Sequence, residues 1–153
     1  MTALTIRPSS WDLALFVHVA GAMLVVAALV VAVAVLGLAW RAEGDERRKL
    51  TRFGFFTLLC AAIPAYIMMR GGAQWVLSKE GLDDSEATWV GVGFGTSDLG
   101  ALLLLLATLL TGLGQRRMVS GRGGGMAKVG TTLSGIVVVL FLIAIWAMTT
   151  KPV

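Results

Sequence analysis

Leu13 to Trp40 reads LALFVHVAGAMLVVAALVVAVAVLGLAW, a run of 28 residues in which His18 is the only ionisable side chain. A helix needs about 20 apolar residues to cross roughly 30 Å of hydrocarbon. At about 1.5 Å per residue this run is about 42 Å long, so it must tilt in a bilayer or protrude from it. It is also too long for the apolar core of a signal peptide. Working outward, three more apolar runs follow, and the four spans are expected at residues 13–40, 53–69, 96–114 and 129–148. The third is the shortest. Extending it back through Gly95, Phe94 and Gly93 gives a comfortable span and encloses Asp98. The expected fold is all-α: an integral membrane four-helix transmembrane bundle forming one domain over residues 1–153.

Composition agrees. The chain is 57% hydrophobic and 14% charged with a mean hydropathy of +0.84, which excludes an ordinary water-soluble globule. One Cys excludes an internal disulfide framework, and one His excludes a multi-histidine metal cage. No catalytic residue is assigned, because a single His has no partner set for Ser or Cys chemistry. The glycines of GVGFGTSDLG, residues 91–100, fit neither a dinucleotide-binding nor a Walker register.

Lys and Arg are retained on the cytoplasmic side of short loops. The connections 41–52 and 115–128 hold nine of the thirteen basic residues but only Glu43, Asp45 and Glu46 of the nine acidic ones. Both are therefore expected inside, which places both termini and the loop 70–95 outside a bacterial plasma membrane. The basic excess is explained by topology, and a nucleic-acid partner is not required. Trp11, Trp75, Trp89 and Trp146 fall at outer helix ends and Trp40 at an inner one, where indoles prefer the headgroup level. The outer connection carries an acidic stretch, Lys79 to Glu86, between two short apolar segments. Pro64 lies inside the second span and should kink it. Helix contacts are expected at Ala20, Gly21, Ala27 and Ala28 and at Gly130, Ser134 and Gly135, because small residues allow close backbone approach where lipid competes with Leu.

Ionisable groups at membrane depth are candidates for function. His18, Arg70 and Asp98, with Tyr66, fall at comparable heights in the outer leaflet and form a candidate polar cluster. An Arg70 to Asp98 pair would lower the cost of both charges, and His18 would donate to Asp98 or coordinate a ligand. Thr96, Ser97 and Asp98 equally form an N-cap pattern, and Arg70 before Gly71 and Gly72 equally forms an ordinary helix end. His18 with Met68, Met69 or Met148 offers soft donors suited to haem iron or Cu(I). Cys60 reads as an inert thiol in apolar surroundings. Three roles follow: a non-enzymatic accessory, scaffold or self-associating membrane component; a haem- or copper-linked redox protein using His18; or a conduit for a small solute or protons.

The stretches WDLALFVHVAGAMLVVAALV (11–30), PAYIMMRGGAQWV (64–76), DLGALLLLLATLLTGLG with QRR (98–117) and IWAMTTKP (145–152) resemble a family of small four-span actinobacterial integral membrane proteins of uncharacterised function. More distantly, His18, Gly21 and Ala22 form an HxxGA element similar to helices in copper-resistance-D-type and HemJ-type membrane proteins. That resemblance implies copper or haem held through His18.

Overall fold

A computed structural model describes residues 12–80, 88–118, 120 and 123–150. The chain is an all-α multi-pass membrane protein, with four helical rods long and apolar enough to cross a bilayer. They are α1 (Asp12–Ala39); a continuous rod made of α2 (Gly44–Thr57), a π-helical turn (Leu58–Ala62) and α3 (Ile63–Glu80); α4 (Thr88–Met118); and α5 (Gly124–Thr150). α1 packs along the second rod, α4 packs along α5, and α1 with α5 and α2 with α4 join the two pairs.

Pro64 accounts for the π-helical turn. Its ring has no N–H for the bond to Cys60, and the chain widens just before it so that the Ile63 amide reaches the Leu58 carbonyl instead. The charged segment 44–52 continues the same rod beyond its apolar part, stiffened by Lys49 Nζ at 2.7 Å from Asp45 one turn away. Gly44, at φ +55°, makes the left-handed step that lets α1 turn into α2 within four residues.

The interior is a column of Val25, Leu29 and Leu36 from α1, Leu58, Leu104 from α4, and Val137 and Phe141 from α5. On α1 the buried residues Ala14, Gly21, Val25, Leu29, Ala32, Leu36 and Ala39 are spaced by seven and then by fours and threes, the seam of a left-handed helix pair. Close approach comes from glycines. A Cβ on Gly21 would overlap the backbone N of Met69, and one on Gly130 would meet Thr111 and the carbonyl of Ala107. Ser134 is buried beside this second contact. Ala27 is exposed, and a Cβ at Gly135 would meet nothing within 4 Å, so neither makes the helix contact expected of it. At the C-terminal end of α1 Trp40 Nε1 donates to Thr131 Oγ1 at 3.3 Å, tying α1 to α5.

Two expectations are corrected. Residues 70–80 and 88–95 are helical and not loop: α3 runs on through Arg70, Gly71 and Gly72 to Glu80, and α4 begins at Thr88, not at 96. The reason is tertiary. Gly72 is a packing residue against α1 and Gly93 one against α5, so contact outweighs the weak helix propensity of glycine. Consequently Asp98 is not an N-cap and Gly71 and Gly72 are not a C-cap; each lies well inside its helix. Of the acidic stretch, Lys79 and Glu80 finish α3; its remainder, together with Trp11, Arg122 and the side chain of Trp89, lies outside the described residues.

Candidate functional site

The N-terminal half of α1 meets α3 at His18 and Gly21. His18 sits on the inward seam of α1, where its Nδ1 lies 2.9 Å from the Met69 carbonyl oxygen of α3. A carbonyl only accepts, so the neutral imidazole carries its proton on Nδ1, and Nε2 keeps a lone pair. A Cβ on Gly72 would stand 2.5 Å from the backbone N of His18, so α1 and α3 touch almost backbone to backbone on either side of this hydrogen bond.

Arg70 is the next residue along α3. Its Nε donates to Asp98 Oδ1 of α4 at 3.1 Å and its Nη1 to Gln74 Oε1 at 3.3 Å, and its guanidinium lies 4.1 Å from the centroid of Phe94. Charge pairing, a hydrogen bond and a cation–π contact thus hold one cation between α3 and α4. Asp98 is more than half exposed, so the ion pair is a rim feature and not a buried one.

Behind this rim all four rods line one pocket of about 50 Å³, large enough for a few water molecules. α1 contributes His18 and Val25, α3 Met69 and Arg70, α4 Phe94 and Ser97, and α5 Phe141 and Met148. The lining is predominantly apolar. Met148 closes over Gly93, where a Cβ would press on its terminal methyl. Ser97 is buried, and its hydroxyl has no hydrogen-bond partner among the described residues.

Of the residues singled out in the sequence, His18, Arg70, Met69 and Met148 meet at this pocket, and Asp98 reaches it only through Arg70. The expected hydrogen bond from His18 to Asp98 is replaced by the one to Met69, because the α1–α3 contact holds the imidazole against α3. Tyr66 does not line the pocket; it stacks on Phe141 with centroids 6.2 Å apart. Met68 does not line it either, since consecutive helix residues point about 100° apart. Cys60 is exposed on the outer surface of its rod. The Phe94 stack and the unmet hydroxyl of Ser97 carry no sequence signal, because each depends on which turn of one helix faces another.

The donor set bears on a bound group. A tetrapyrrole is larger than this pocket and would have to extend through its open side, with His18 Nε2 as the axial donor. His18 Nε2 with the thioethers of Met69 and Met148 is chemically suited to one soft cation such as Cu(I). Among the described residues no three His, Cys, Asp or Glu side chains cluster as a metal site. Set against protein-family models, curated proteins and solved structures, the chain matches none. Fold and site together define the class: a small four-rod membrane bundle with an apolar pocket near one end.

Proposed function

We propose that the protein is a non-enzymatic component of the bacterial plasma membrane, an accessory, scaffold or self-associating helical subunit, oriented with both termini outside. The observation that supports this reading is that the ionisable groups of the outer half are held by the bundle itself: His18 by a backbone carbonyl, Arg70 by Asp98, Gln74 and Phe94. Beneath them Val25, Leu29, Leu36, Leu58, Leu104 and Val137 fill the interior, which argues against a polar conduction path. In an apolar 18-residue stretch of each rod only 28–33% is buried within the chain, leaving apolar faces through which helical subunits associate.

Native mass spectrometry from native-membrane nanodiscs tests the reading. The chain should emerge with copies of itself or with another membrane subunit at a fixed ratio; a lone 16.1 kDa chain contradicts it. Orientation rests on the basic residues of 41–52 and 115–128. In a Cys60→Ser background, Ser78→Cys should react with an impermeant maleimide on intact cells and Ser120→Cys only after lysis. The opposite pattern reverses the topology.

A further inference from the structure

Ser97 breaks a rule that most buried hydroxyls of the bundle keep. Thr51, Thr96, Thr108, Thr131 and Ser134 each return the hydroxyl to a carbonyl four residues back, the usual way a helix in an apolar setting satisfies such a group. Ser97 does not: it is only 7% exposed, and its Oγ has no partner among the described residues. Thr111, the other such hydroxyl among the described residues, abuts Gly130 in the α4–α5 seam and does not line this pocket. Ser97 lines the four-helix pocket together with His18, whose Nδ1 is engaged and whose Nε2 is an acceptor. A hydroxyl both donates and accepts, so the pair asks for a ligand group that does the same.

We propose that this pocket binds the hydroxyl end of a neutral amphiphile drawn from the bilayer, an alcohol whose O–H donates to His18 Nε2 while its oxygen accepts from Ser97. The hydrocarbon next to the hydroxyl lies against Val25, Val26, Phe141 and Ile145, the apolar part of the lining. A volume of about 50 Å³ admits the hydroxyl and a few carbons, and the partly open side of the pocket leaves the rest of the chain among the acyl tails. A carboxylate end is disfavoured because Arg70, the nearby cation, is already paired with Asp98.

The test uses the full chain in nanodiscs with a diazirine-bearing decanol, its methyl ether and the matching decanoic acid as photoprobes, and reads labelled peptides by mass spectrometry. The alcohol should label α1 and α5 around Val25 and Ile145 and be displaced by plain decanol. The ether, which cannot donate to Nε2, should label about fivefold less, as one lost hydrogen bond implies. Ser97→Ala should lower alcohol labelling by a similar factor while melting at or above the wild-type temperature, since it removes only an unmet hydroxyl. Equal labelling by ether and alcohol, equal labelling by the acid, or undiminished labelling of Ser97→Ala overturns the proposal, as does labelling no stronger than on lipid-facing peptides, the behaviour of a pocket that holds only water.

Discussion

Gly21→Ala is expected to break the contact between α1 and α3 at a cost of about 3 kcal/mol or more, the upper end for forcing a methyl into a packed site. The added Cβ overlaps the backbone N and Cα of Met69, which, unlike a flexible side chain, have no rotamer to retreat into. Gly72→Ala drives its methyl into the backbone of His18 and should do comparable damage. Lipid tails compete on equal terms with any large apolar side chain, so a membrane bundle depends on such close approach more than a soluble one does. The controls are in α4: a Cβ at Gly91 or Gly95 meets nothing within 4 Å, and both substitutions should be neutral or gain up to about 1 kcal/mol of helix propensity. Thermal or denaturant unfolding in detergent measures the set, and equal tolerance at all four positions contradicts the described α1–α3 contact.

The second large effect is expected at His18. Truncation to Ala removes both the hydrogen bond to Met69 and the ring packed at the α1–α3 contact, for a loss of about 2–3 kcal/mol in the same unfolding experiment. His18→Phe keeps most of the ring and should lose about 1 kcal/mol, the worth of the hydrogen bond alone. The Met69 carbonyl is not stranded in either variant, because a helical carbonyl has its own amide four residues on. A His18→Ala protein as stable as wild type would mean the imidazole contributes nothing to helix association.

The four rods were legible because the length of an apolar run is a one-dimensional signal. The run from Leu13 to Trp40 needs no knowledge of contacts. The inward faces were not legible. α1 is apolar all round, so nothing in its composition separates buried Val25 from exposed Leu24. Arg70-Gly71-Gly72 and Thr96-Ser97-Asp98 carry the local chemistry of helix ends, and only the partner helix turns Gly72 into a packing residue and leaves Asp98 mid-helix to meet Arg70. The Arg70–Asp98 pair itself was anticipated from the cost of isolated charges at that depth. The partner of His18 was not, because a backbone carbonyl as acceptor leaves no trace in the sequence.

The one histidine of this chain is fixed by the backbone of α3 with its proton on Nδ1. Because there is one histidine, ¹⁵N-histidine labelling in bilayers gives a spectrum that needs no assignment. At mildly alkaline pH, where an ordinary imidazole is neutral, the structure predicts a protonated Nδ1, an unprotonated Nε2 and dipolar dephasing of Nδ1 by a ¹³C-labelled methionyl carbonyl. A proton on Nε2, or an Nδ1 with no methionyl carbonyl beside it, contradicts the hydrogen bond from His18 to Met69.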